Sequence, residues 1–415
     1  MKRIILTTIL LLASTTILFA FDIFAEEEEP TRKVYLENET SLILYRDKSL
    51  EPQLLLGITA DYEDEGYRAH TTLQFDAVHN ELSASQLALS LFWGDQVLTA
   101  GWMTHPWGSA SLSHVVDVLN AQDLRCGIID DLEAMKQPEL MFSLTTYWDR
   151  SSLDIVLKPG FLPTSLENTG RWSLIPAQFA SVTLHEEETE SLEKFGGGAR
   201  YRIQSSAIDL GLLYYNGYYP QSGYTNITFD PSTFAITGAD TIYTRYQLIG
   251  LESSSLVGPF TLALEGGFFL SEDTNGSDSG LYNSKWAYLA ELSYTHSASG
   301  TFLAVAYQGH YVLNFPSSPM DVDVLASYGG KAYANTIIAA AEAKFFREKL
   351  ACRVAGTYQV ESTGYLMLAS ATYALGDNLS CFLKTTWYGS IEPKESIYHT
   401  WDANDSLQIG LKAWF

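Results

Sequence analysis

The sequence predicts an all-β chain folded as a single transmembrane antiparallel β-barrel of about eighteen strands, with sixteen as the nearest alternative. Three observations predict it. The last ten residues alternate, with Leu407, Ile409, Leu411, Ala413 and Phe415 on one side of an extended chain and Gln408, Gly410 and Lys412 on the other, because side chains alternate across a strand. Stretches of the same period recur along the whole chain. The connections between them are tight and long by turns, the pattern of barrels with short periplasmic turns and long external loops.

The amino end reads as a secretory signal peptide over residues 1–25. It has a charged start at Lys2 and Arg3, an apolar run over 4–20, and small residues at Ala20 and Ala25 as cleavage points. No later stretch approaches the roughly 18 consecutive apolar residues that a spanning helix requires. Residues 26–415 are then the barrel. Cleavage removes two positive charges and one negative, moving the net charge from -24 to -25. A chain so acidic is no partner for nucleic acid, whose phosphates need basic side chains. The 25 Tyr, 20 Phe and 9 Trp accompany a mean hydropathy of -0.02. That combination fits lipid-facing positions alternating with water-facing ones, with aromatics collected at both membrane interfaces. Cys126, Cys352 and Cys381 are too few for a disulfide framework, so hydrogen bonding around a closed sheet must hold the fold. No phosphate loop, CxxC pair or dinucleotide fingerprint is present, and no cofactor is expected.

Taken in order, strands are predicted at 34–45, 53–62, 67–77, 85–93, 96–103, 139–148, 152–158, 194–204, 208–215, 242–251, 260–270, 285–295, 301–312, 334–346, 350–360, 365–375, 379–388 and 406–415. In 53–62, Leu54, Leu56, Ile58, Ala60 and Tyr62 share one face. In 67–77, Ala69, Leu73, Phe75 and Ala77 oppose Arg68, His70, Thr72, Gln74 and Asp76. The connections 63–66, 94–95, 149–151, 205–207 and 376–378 are tight, whereas 104–138, 159–193, 216–241, 314–331 and 390–405 are long. With the amino end in the periplasm, every long one falls on the outer side. A soluble sandwich with strands every 8 to 12 residues or so is the alternative.

Residues 102–163 depart from strand alternation, and the loop 104–138 within them is the candidate constriction. Segments 111–119 and 129–136 are predicted as short helices, the second with Asp130, Asp131 and Glu133 in its first turn and a stop before Pro138. A loop of this length in a compact fold is usually functional or disordered. Val115, Val116, Leu119, Ile128, Ile129 and Leu132 are too apolar for a disordered external loop, so the loop is predicted to turn inward and pack on the barrel wall. Packing outside, on neighbouring loops, is the alternative.

This region also carries a resemblance. Trp107 and Gly108, then Asp117 Val118 Leu119 Asn120 Ala121 Gln122 Asp123 Leu124 Arg125, then Pro138 and Gly160 Phe161 Leu162 Pro163 resemble porin-like outer-membrane barrels. That group includes alginate-export channels and a family with a Trp-Gly and Asp-x-Leu-Asn-Pro-x-Asp-Leu-Arg signature. The resemblance implies a bacterial outer-membrane location and a passive channel for small hydrophilic solutes, with the loop narrowing the pore. Its expected partners are outer-membrane lipid, the machinery that inserts barrels, and those solutes. Ala121 stands where the family has proline, and Trp102 follows Gly101 where the family tends to a basic residue, so no particular solute is implied.

The predicted constriction sets Asp117, Asp123, Asp130, Asp131 and Glu133 of the loop against Arg68, Arg200 and Arg202 of the strands. Arg245, Lys285, Lys344, Arg353 and Lys384 also fall on strands. Opposed charges across a narrow lumen order water and favour charged or dipolar solutes, and the acids of the loop predict a mild preference for cations. The plainer reading of most of these residues is interior ion pairing. Phe415 ends the lipid-facing row and is read as the assembly signal as well. The stretches His185 to Glu188 and Asp273 to Asp278 have metal-loop flavour but read as solvated external acids, and no metal is expected. Three other readings are an adhesin or binding barrel with a plugged lumen, an outer-membrane lipase or protease, and a fatty-acid transporter. The last lacks an apolar amino-terminal plug, and no spacing signals a hydrolase triad.

Overall fold

The computed structural model describes residues 31–129, 132–174, 182–233, 235–297, 299–392 and 396–415. The predicted signal peptide, the acidic run after it, Asp130 and Asp131 lie outside them.

Eighteen strands close into one ring. They are β1 (Thr31–Tyr45), β2 (Leu50–Glu63), β3 (Tyr67–Asp76), β4 (Glu81–Trp93), β5 (Gln96–Met103), β6 (Glu139–Trp148), β7 (Ser151–Lys158), β9 (Gly196–Gln204) and β10 (Ile208–Tyr218) in the first half. The second half adds β13 (Arg245–Val257), β14 (Phe260–Ser271), β15 (Lys285–His296), β16 (Thr301–Val312), β17 (Tyr333–Phe345), β18 (Leu350–Gln359), β19 (Gly364–Gly376), β20 (Leu379–Ser390) and β21 (Ser406–Trp414). Each pairs antiparallel with the next, and β1 pairs with β21, with Leu42 opposite Ile409 and Thr40 opposite Leu411. The seam ends on a reciprocal pair, Leu36 N–H to Phe415 O and Phe415 N–H to Leu36 O, both 2.9 Å. A closed ring leaves no unpaired edge.

The predicted strands match this ring, with ends that shift by a few residues. The largest difference is in the strand read at 242–251, which in the ring runs from Arg245 to Val257. Residues Ile236–Ile242 belong to β12, which joins β8 (Thr183–His185) and β11 (Gly223–Phe229) in a separate three-stranded sheet built from the long connections. That sheet has no counterpart in the sequence reading.

Strand alternation sorts the side chains as lipid and water require. Leu210, Leu212, Ile249, Leu251, Leu303, Val305, Ile409 and Leu411 are exposed on the outer face. On a soluble protein such a belt would be an anomaly, whereas on a closed barrel it is the surface that meets lipid. Exposed aromatics mark its two borders, with Trp93, Trp148, Phe345 and Phe415 at the short-turn end and Trp286, Tyr311, Tyr333 and Trp387 at the other. Inside, Gln408 donates to Ser41 Oγ at 2.8 Å and to Gln53 Oε1 at 3.1 Å, and Lys412 pairs with Glu37 at 2.7 Å.

The interior also holds an apolar core. Met103, Trp107, Val116 and Leu119 pack against Met141, Val156, Leu213, Tyr215, Tyr246, Leu248 and Phe269. The inward faces of β6, β7, β10, β13 and β14 are therefore apolar where residues 104–138 lie on them. This explains why β10 reads as an almost unbroken apolar run.

Candidate functional site

The site is the segment 104–138, which leaves the ring after β5 and returns at β6. Trp107 is buried against the inner wall, and its indole N–H donates to Asp154 Oδ2 on β7 at 2.9 Å. His105 Nε2 meets the same oxygen at 2.7 Å. The wall makes room for the ring with glycine. A Cβ on Gly198 of β9 would stand 2.7 Å from Trp107 and 2.5 Å from Tyr214 O. Gly108 follows with φ +119, and a Cβ there would stand 2.2 Å from His114 Nδ1 and 2.7 Å from Glu265 Oε1. That backbone conformation favours glycine, so the Trp-Gly pair is one bulky plug followed by the sharp bend it needs.

Beyond the bend the chain hangs on two wall carboxylates. Glu265 on β14 accepts the N–H groups of Ser109 at 2.8 Å, Ala110 at 3.1 Å and Val115 at 2.9 Å, together with His114 Nδ1 at 2.9 Å. Glu291 on β15 accepts Ser111 N–H at 3.0 Å, Leu112 N–H at 2.8 Å and the Ser111 hydroxyl. These bonds correct the predicted helix over 111–119: N–H groups that would point along a helix axis are committed to the wall, and the segment runs as bends. The predicted helix over 129–136 is absent from the described part as well. Residues 132–135 form a turn, and Lys136 pairs with Gln122 in an isolated bridge.

Asn120 closes the neck. Its Oδ1 accepts His105 N–H at 2.9 Å, and its Nδ2 donates to Met103 O at 3.2 Å and Gln137 O at 2.8 Å. Below it Lys158 and Glu139 form a buried ion pair at 2.9 Å, and Lys158 also donates to Leu119 O. The far end of the segment crosses to the opposite wall. Leu124 and Ile128 pack on Leu366, Tyr388, Tyr398 and Trp401, and Ile128 N–H donates to Tyr388 Oη at 3.3 Å.

The described residues predicted for the constriction separate into four places. Asp117 and Glu133 lie together on the segment, both bound to Lys136, Glu133 at 2.7 Å. Burial raises the Asp117 carboxyl above its ordinary range although Lys136 opposes it. Asp123 is held by Arg125, whose Nη2 lies 2.6 Å from it, and Arg125 reaches Glu81 at 3.2 Å. Arg200 and Arg202 face Glu252 on the wall at 3.8 and 3.6 Å. Arg68 sits at the short-turn end of β3, paired with Asp61 at 3.1 Å. Asp130 and Asp131 lie outside the described residues. Sequence reasoning missed the wall acids Asp154, Glu252, Glu265 and Glu291, although a single Glu midway along each of three consecutive strands, β13 to β15, was a readable signal.

Between the segment and the facing wall is an opening of about 550 Å³. Ser111, Leu112, His114, Asp117, Leu132 and Lys136 line one side, and Ile338, Arg353, Thr357, Leu366 and Leu368 of β17 to β19 line the other, with Tyr246, Phe269 and Lys285 between. The acids on its rim are bound to Lys136. Among the described residues, Lys285 and Arg353 have no ion-pair partner. Lys285 Nζ lies over the rings of Tyr219 at 4.8 Å and Phe269 at 5.1 Å.

No family model matches the sequence, and no curated protein matches it. Solved structures do match. The chain is similar to Pseudomonas aeruginosa OccK11 (OpdR), with 12% identity, 94% of this chain and 99% of that one covered, and a TM-score of 0.53. For OccK10 (OpdN) of the same organism the figures are 13%, 94%, 99% and 0.53, and for OccK3 (OpdO) they are 12%, 93%, 95% and 0.51. What the three share with this chain is the fold, a closed β-barrel.

Proposed function

We propose that the chain is an outer-membrane channel for passive diffusion of small hydrophilic solutes, with residues 104–138 as its constriction. The observation that carries this reading is the opening of about 550 Å³ left between that segment and the inward faces of β17 to β19. Low-dielectric walls focus the field of any fixed charge in such a gap. Since Asp117 and Glu133 share Lys136 while Lys285 and Arg353 have no ion-pair partner among the described residues, the passage favours anions, the reverse of the cation preference read from the acids of the loop.

The finer kinship, to barrels with the Trp-Gly and Asp-x-Leu-Asn signature, is part of the proposal. It is supported by the work those residues do here: Trp107 plugs the wall, Gly108 bends the chain, Asn120 ties the neck, and Leu124 with Arg125 settles the far end. Residues 1–25 export the chain, the barrel-assembly machinery inserts it, and Phe415 serves that step. Purified protein in planar bilayers tests the reading. Discrete conductance steps are expected, with a reversal potential in a potassium chloride gradient that favours chloride and shifts toward zero in Lys285→Gln and Arg353→Gln. Folded protein that produces no steps would sink it.

A further inference from the structure

A second cavity, of about 250 Å³, opens off the first behind the constriction segment, between Val115 and the inward faces of β14 to β17. Phe269 and Lys285 line both cavities, so the lysine stands at their junction. Its ammonium has two aromatic rings beneath it and no hydrogen bond or ion pair among the described residues. Asp323 acts on it electrostatically but is itself engaged by Asn283 N–H at 2.8 Å. Rings compensate a shielded cation only in part, and an unmatched charge away from bulk water is costly unless it is paired. Gln308 and His310 project into the same space from β16, and Gln308 Oε1 has no hydrogen-bond partner among the described residues. The last torsion of a glutamine is broad, so a turn of the amide presents that oxygen to the cavity. Val115, Ala287 and Ala334 supply small apolar wall, and Tyr328 and Thr336 complete the lining with hydroxyls.

We propose that this pocket binds a short 2-hydroxycarboxylate: the carboxylate on Lys285 Nζ, the hydroxyl donating to Gln308, and a brief apolar tail against Val115, Ala287 and Ala334. The volume lies below the roughly 300–1,000 Å³ of pockets for drug-sized ligands, which limits the occupant to a small metabolite. A simple carboxylate satisfies the lysine but leaves the glutamine oxygen unmet. A neutral diol does the opposite and forfeits the charge.

Calorimetric titration of the folded, detergent-solubilised full chain tests this with 2-hydroxyhexanoate, hexanoate and 1,2-hexanediol. The hydroxy acid is expected to bind at least fivefold more tightly than hexanoate, and the diol not to bind. Lys285→Gln should weaken both acids tenfold or more, while Lys285→Arg, which keeps the charge, should hold them within a few-fold. Gln308→Leu should bring the hydroxy acid down to the level of hexanoate and leave hexanoate unchanged. The proposal is overturned if folded wild-type protein binds none of the three, if Lys285→Gln binds as the wild type does, or if Gln308→Leu weakens both acids alike. Calorimetry needs no conductance, so this outcome and that of the bilayer experiment are separate: a conducting barrel that binds nothing fails here alone.

Discussion

The side chain of Asn120 donates to the carbonyl of Gln137 at 2.8 Å and, through its other end, accepts the N–H of His105 at 2.9 Å, so one residue in mid-segment ties down both ends of the constriction. Asn120→Leu keeps the shape and removes these two bonds and the one to Met103 O, leaving buried backbone groups unmatched at about 1–3 kcal/mol each. The barrel should stay heat-resistant while protease cleavage within 104–138 accelerates. Cleavage at the wild-type rate would mean that the neck is held elsewhere.

The contact between His114 and Glu265 makes the attachment dependent on pH. Burial disfavours the imidazolium, but the hydrogen bond and charge of Glu265 outweigh it, and the His114 pKa is raised above its ordinary value. A raised value stabilises the attached state fully below about pH 6.5 and less as pH climbs through the raised value. Protease sensitivity of 104–138 should therefore increase between about pH 6 and about pH 9, and the increase should vanish in His114→Gln. An increase that persists in that variant would assign the effect to another group.

Removing residues 111–136 takes away the strip that faces β17 to β19 together with Asn120, and leaves Trp107 in place. Single-channel conductance should rise and charge selectivity should fall. A deletion that folds and leaves both unchanged would put the constriction in another long connection, 159–193.

The outer and inner faces of β21 differ in what they tolerate. Ile409 is exposed toward lipid, whereas Gln408 points inward to Ser41 and Gln53. Ile409→Arg should cost about 2–4 kcal/mol near the midplane, read as loss of folded barrel in urea titrations in lipid vesicles. Gln408→Arg should cost far less. Equal losses would mean that the face assignment of this strand is wrong.

The ladder was legible because lipid on one side and water on the other enforce a period of two over nearly every strand, and strand ends such as Gln96, Met103, Thr301 and Val312 were read as they stand. The reading missed the strands 223–229 and 236–242 inside the connection it ran over 216–241, because a strand outside the ring meets no lipid and has no enforced alternation to announce it. Inside the loop it failed for a different reason. The partners of Ser109 to Val115 are Glu265 and Glu291, some hundred and fifty residues or more along the chain, and no local pattern announces that backbone N–H groups will be drawn to them. The charges were visible but their pairing was not: Arg200 and Arg202 look free in sequence and are answered by Glu252 across β10.

Glu265 and Glu291 grip the constriction mainly through main-chain amides, which every residue but proline possesses, with His114 and the Ser111 hydroxyl adding side-chain bonds. The main-chain moorings of the strip from Ser109 to Leu112 are thus indifferent to its composition, while the side chains it turns to the opening are not. Anchorage and aperture are written in separate alphabets. Substitutions along this strip can retune what passes without asking the barrel to relearn how to hold its own gate.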